Sequence, residues 1–147
     1  RVASMARGRH GARRLLVQAL YQHQVGGHTA SELVAQYSDR KEFRSADGGY
    51  FLALVREVVA ATAELDELIA QGTDRPPAQL DPIERAILWL GLAEPRAPPG
   101  GARRVVIDEG IELAKEFGAQ DSFRFVNAVL DVMAARLRPA EGAPGAA

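Results

Sequence analysis

The sequence predicts an all-α fold, a compact bundle of about six to seven helices. Apolar residues recur at three- and four-residue spacing through most of the chain. No stretch sustains the period-2 alternation of a half-buried strand. The 147 residues are the length of one ordinary domain, and 47% hydrophobic with 25% charged is a globular composition.

The first helix is expected over about His10 to Val25, with Ala12, Leu15, Leu16, Ala19, Leu20 and His23 on one stripe. Arg7, His10, Arg14, Gln18 and Tyr21 fall on the opposite side at ~100° per residue, Arg7 only if the helix starts that early. Gly26-Gly27 ends it. Thr29 and Glu32 form a capping-box pattern for a short helix carrying Leu33, Val34 and Tyr37. A longer helix is expected from Asp47 to Gly72, followed by a Pro-containing connector over residues 73–80. Asp81-Pro82-Ile83-Glu84 is a helix start, with an Asp cap, Pro at the first position, and a Glu that can reach back. The segment behind it is apolar nearly all round, which places it in the centre of the bundle. Pro95 to Gly101 breaks the chain. A helix over about Arg103 to Phe117 follows, stopped by Gly118, and Asp121 or Ser122 caps the last helix. Residues 1–8 are expected to be a flexible basic segment, and 139–147 a disordered tail.

Several function classes are excluded early. Cysteine is absent, so there is no disulfide framework, thiolate metal site or cysteine nucleophile. All three His precede position 29, and neither GxGxxG nor GxxxxGK[ST] occurs. Asp108, Glu109, Glu112 and Glu116 share a helix at carboxylate-pair spacing. Without any Glu-x-x-His they read as a solvated face and not as a di-metal centre. No apolar run approaches the ~20 residues of a membrane helix, and a cytoplasmic location is expected.

The charge is segregated. Residues 1–31 hold five Arg and no acid, while the remainder holds 13 basic and 19 acidic residues, a net of −6. A basic head on an acidic body suggests an anion-binding segment with nucleic acid as the leading ligand, against the alternative of a solvated terminus. Arg9, Arg13 and Arg14 line a helix edge that Gln18 and Tyr21 continue. Guanidinium forks pair with phosphate, and a Tyr ring can stack an unpaired base or simply sit at a core boundary. The mixture suits single-stranded RNA better than duplex DNA. A second candidate lies at Asp121, Ser122, Phe123, Arg124 and Phe125. There a helix N-terminus favours anions, and one Phe can face out beside Arg124 while the other faces the core.

Four ordered blocks carry a resemblance. Ala12-Arg-Arg-Leu-Leu-Val-Gln-Ala-Leu-Tyr21 resembles the opening helix of the NusB family of transcription antitermination factors. Leu80-Asp-Pro-Ile-Glu-Arg-Ala-Ile-Leu88 is similar to the start of that family's C-terminal half. Ile107-Asp-Glu-Gly-Ile-Glu-Leu-Ala-Lys-Glu-Phe-Gly118, then Asp121-Ser and Phe125-Val-Asn-Ala-Val-Leu-Asp131, resembles its signature. Tyr50-Phe51 and Leu65-Asp66 fall between them in the expected order. The resemblance implies one helical domain over 9–138, with subdomains of about 9–79 and 80–138.

It also implies a non-enzymatic factor without a cofactor. Such a factor pairs with ribosomal protein NusE, grips boxA RNA of nascent ribosomal RNA transcripts and joins an antitermination complex on RNA polymerase. Carried over by position, Arg7, Arg9, Arg13 and Arg14 fall on the RNA-binding N-terminus, with Gln18 and Tyr21 on the same surface. Asp121, Ser122, Arg124 and Phe125 match a second RNA-contacting patch, and Glu84 and Tyr21 lie towards NusE. The departures gather at Leu92-Ala93-Glu94-Pro95, Gly101-Ala102, Asp108-Glu109-Gly110 and Ala128. Two alternatives stand beside this reading: an RNA-binding fragment of an RNA cytosine methyltransferase, and a homodimer that hides the RNA surface.

Overall fold

Asp66 on one helix holds two residues of a neighbouring helix, one turn apart, in register. Its carboxylate accepts from Trp89 Nε1 at 2.8 Å and from Arg85 Nε at 3.2 Å. The computed structural model describes residues 2–94 and 103–137. Among these, seven α-helices and two short 3-10 turns account for the regular structure: α1 (Val2–Gly26), α2 (Ala30–Ser38), α3 (Gly48–Ala60), α4 (Thr62–Gly72), α5 (Pro82–Ala93), α6 (Arg103–Phe117) and α7 (Ser122–Leu137). The turns are Lys41–Ser45 and Pro77–Gln79.

Local chemistry sets the boundaries. Thr29 and Glu32 close a full capping box on α2. Asp47 accepts from the Tyr50 amide to start α3, and Asp81 accepts from the Ile83 amide ahead of Pro82 to start α5. Glu84 does not complete a box with Asp81; it turns to Ser122 on α7. Two expectations change. The helix foreseen from 47 to 72 breaks at Ala61, whose φ of −116° and ψ of 17° end α3 and open α4. The first helix starts at Val2, eight residues before the expected His10, so residues 2–8 are helical. The Asp47 amide anchors this extension by donating to the Gly8 carbonyl at 2.8 Å. The expected break at Pro95 to Gly101 and the expected tail lie outside the described residues.

α5 is the central rod, packed against α1, α3, α4, α6 and α7. Every residue from Ala86 to Ala93 is buried, as its all-round apolar sequence requires. One continuous hydrophobic cluster takes in Leu16, Leu33, Phe51, Leu65, Leu88, Ile107 and Val129, so every α-helix contributes to it. Leu130 of α7 wedges between α5 and α6. A Cβ on Gly91 would meet it at 2.8 Å and one on Gly110 at 2.9 Å, so both glycines are needed for this approach. With α5 buried, α1 runs across its face and leaves one long edge outward.

Candidate nucleic-acid interface

Arg13 does not belong to that outward edge. It is 4% exposed, because α6 and α5 cover α1 on a second side. Its Nε donates to Glu94 Oε1 at 2.7 Å and its Nη1 to Glu109 Oε1 at 3.0 Å. The Tyr50 hydroxyl donates to the same Glu94 oxygen, and His10 Nδ1 lies 2.9 Å from the same Glu109 oxygen. Burial pulls the Arg13 pKa down, but the charge and hydrogen bond of Glu94, with Tyr50 and Glu109, outweigh it and leave the guanidinium above its ordinary value. Arg13, expected to contact RNA, thus sits in a buried ion cluster, and a phosphate could reach it only by displacing two carboxylates.

The other arginines fare differently. Arg7 is exposed. Arg9 is half-buried, with its guanidinium carbon 4.7 Å from the Tyr50 ring centroid, and its Nε is buried without a hydrogen-bond partner. Arg14 lies at the surface, bonded through Nε to Glu116 Oε2 at 2.8 Å and 5.8 Å from the Phe117 ring centroid. That hydrogen bond raises its pKa, against burial and with the charges of Glu116 and Glu42. Two of the four α6 carboxylates read as solvated are thus the anchors of α1 arginines.

Further along the edge, Gln18 and Tyr21 meet partners from three other segments. An open groove of about 440 Å³ is lined by Gln18, Tyr21, Gln22, Tyr37, Arg40 and Ile83. Tyr21 is 39% exposed. Arg40 donates to Gln18 Oε1 at 3.0 Å and lies 4.0 Å from the Tyr37 ring centroid. Tyr37 is itself buried, and burial raises its phenol pKa, against the charge and hydrogen bond of Arg40. The groove offers a flat ring, amide groups and a cation without a carboxylate partner among the described residues, which suits an unstacked base and its phosphate.

The second predicted patch begins at Asp121, whose φ of 69° lies in the left-handed region that Asp tolerates better than most residues. Arg124 sits 3.5 Å from Asp121 in an exposed i,i+3 pair. Ser122 is buried, and its Oγ donates to Glu84 Oε2 at 2.8 Å. Ser122 and the 8%-exposed Glu84, expected at the RNA and at NusE, face each other across the α5–α7 contact. Phe123 and Phe125 were expected to split between core and solvent, yet both are half-buried. Arg75 covers Phe125 at 3.9 Å, while Lys115 and Arg124 flank Phe123 at 5.2 and 5.5 Å.

Side chains connect the elements that carry the two patches: Ile83 lines the groove, its neighbour Glu84 holds Ser122, and Arg14 reaches the end of α6 just before α7.

The model of the NusB family matches residues 10–135. The chain belongs to the NusB family. It is 45% identical over 133 residues to the transcription antitermination protein NusB of Alcanivorax borkumensis, covering 90% of this chain and 89% of that protein. It is 44% identical over 133 residues to NusB of Pseudomonas entomophila, covering 90% and 80%. The fold matches the NusB chain in a crystal structure of the antitermination factors NusB and NusE with dsRNA, at a TM-score of 0.78 and 28% identity over 88% of this chain and 97% of that one. It also matches NusB of T. maritima at a TM-score of 0.70 and 25% identity, over 85% and 89%. The all-α fold is thus the NusB fold.

Within the NusB fold, sequence reading missed Arg40, Tyr37 and Arg75 as surface partners. Tyr37 was placed only on a short helix, and both arginines lie at turns, where no helical periodicity assigns a face. The available signal was Arg against aromatic, which becomes visible only in three dimensions. Among the described residues no cluster of three or more His, Asp or Glu could hold a metal, and no helix is long and apolar enough to cross a membrane.

Proposed function

We propose that this chain is a cytoplasmic, RNA-binding transcription antitermination factor. It pairs with NusE, grips boxA-type RNA of nascent ribosomal RNA transcripts and joins an antitermination complex on RNA polymerase. The observation that carries the reading is the match over 97% of a NusB chain that is itself bound to NusE and RNA. The surface chemistry supports it: the groove carries Tyr21 and Arg40, and the second patch carries Arg124 and Phe125.

Arg7, Arg14, Arg40 and Arg124 are the cations of this surface. Their contacts with phosphate release counterions and set affinity. Tyr21 supplies the stacking surface that favours an unpaired strand over a duplex. Arg9 and Arg13 support α1 from beneath, one over and one beside Tyr50.

The test is co-purification with NusE in the presence and absence of a boxA-type single-stranded RNA, with the mass of each complex read by light scattering. A ternary complex of one chain each is expected. A homodimer that neither NusE nor the RNA opens would overturn the reading.

A further inference from the structure

We infer that Arg75, held on the ring of Phe125, is itself a nucleic-acid contact, and that a base of the bound strand stacks on the guanidinium plane of Arg75. This rests on the proposed RNA-binding role and extends it to a residue outside both predicted patches.

Arg75 lies in the connector between α4 and α5. Its amide donates to Thr73 Oγ1 at 3.3 Å, and Pro76 and Pro77 follow. A residue before proline favours extended backbone, which narrows the conformations open to Arg75. Its guanidinium carbon sits 3.9 Å from the centroid of Phe125, a ring itself half-buried against the core. The seat is therefore firm while the cation is exposed.

The contrast with other arginines is chemical. Arg13, Arg14 and Arg85 each meet a carboxylate, at Glu94, Glu116 and Asp66. Among the described residues no carboxylate lies within ion-pair distance of Arg75. Its N–H donors are thus uncommitted to any acid among the described residues. Phe125 covers the guanidinium on one side, and because Arg75 is exposed a base can approach it from solvent. Because the ring already orders the side chain, less rotamer freedom is lost on binding. The ring of Phe125 thus acts through Arg75, because the cation occupies the approach that a base would use.

The experiment titrates fluorescent single-stranded boxA-type RNA against the chain with NusE over a range of salt, for wild type, R75A, R75K, F125L and R75A/F125L. R75A is expected to bind about tenfold more weakly, within the range for one stacked base, with a salt slope reduced by ~0.7. R75K retains the slope but still loses several-fold, because an ammonium cannot stack. In the F125L background R75A costs less than in wild type, since the seat is already gone. The thermal melt of R75A stays at the wild-type value. R75A binding with unchanged affinity and slope, while wild type binds, overturns the role of Arg75 alone. A wild type that binds no RNA overturns the RNA-binding reading, and Arg75 with it.

Discussion

Ser122 on α7 donates its hydroxyl to the Glu84 carboxylate on α5 at 2.8 Å, and both side chains are buried. The bond fixes the start of one helix against the start of another, and so fixes Arg124 and Phe125 relative to Ile83 in the groove. Ser122→Ala leaves a buried carboxylate without this donor and should cost about 1–3 kcal/mol of stability. Glu84→Gln keeps an acceptor and should cost less. Urea denaturation of both variants checks the order; equal stability of Ser122→Ala and wild type would refute the pairing.

The buried ion cluster makes a larger prediction. Arg13→Ala strands Glu94 and Glu109, and breaking a buried pair from one side costs about 3–5 kcal/mol. The loss should appear in the thermal melt. Any RNA affinity measured on the fraction that remains folded should keep the wild-type salt slope. Arg13→Met combined with Glu94→Gln should recover part of the stability, since Glu94 is then neutral and only Glu109 has lost its guanidinium partner.

The same cluster sets an alkaline limit. Burial pushes the Tyr50 phenol well above its ordinary range, and its hydrogen bond to Glu94 and the charge of Glu94 push the same way, against Arg13 and Arg9. A raised folded-state pKa contributes stability that is full below the unfolded phenol's pKa and is lost as pH rises through the folded one. Wild type should therefore lose stability at alkaline pH more steeply than Tyr50→Phe. Denaturant midpoints measured from neutral to strongly alkaline pH test this, and parallel curves would exclude it.

The groove should separate binding from folding. Tyr21 is 39% exposed, so Tyr21→Ala should change stability by little while weakening RNA binding by about 1–3 kcal/mol. Arg40→Ala should lower the salt slope by ~0.7 for a single strand. Fluorescence titrations over a salt range decide both, and unchanged binding in both variants would remove the groove from the interface.

Gly91 tests the packing of the central rod. Gly91→Ala drives a Cβ to 2.8 Å from Leu130, an overpacking that costs about 1–3 kcal/mol. Leu130→Val in the same chain should relieve part of it. Calorimetric melts of the single and double variants show whether the two changes couple.

The helical class and most helix starts were legible along the chain, because caps and apolar spacing are local. Thr29 with Glu32, Asp47, and Asp81 before Pro82 each act within one turn, and all three start helices as their spacing predicts. The central place of α5 was legible for the same reason: a helix apolar on all sides has no face left for water. The break at Ala61 was not legible, since an alanine carries no stop signal.

Which polar residues face outward was settled by the packing of the helices. Arg13 and Arg14 are neighbours with one chemistry, yet one is buried between Glu94 and Glu109 while the other pairs with Glu116 at the surface. Glu84 and Ser122, 38 residues apart, satisfy each other inside the protein. A charge buries only where a distant residue offers its counter-charge, and that distance is closed by the fold, not by the spacing of residues along the chain.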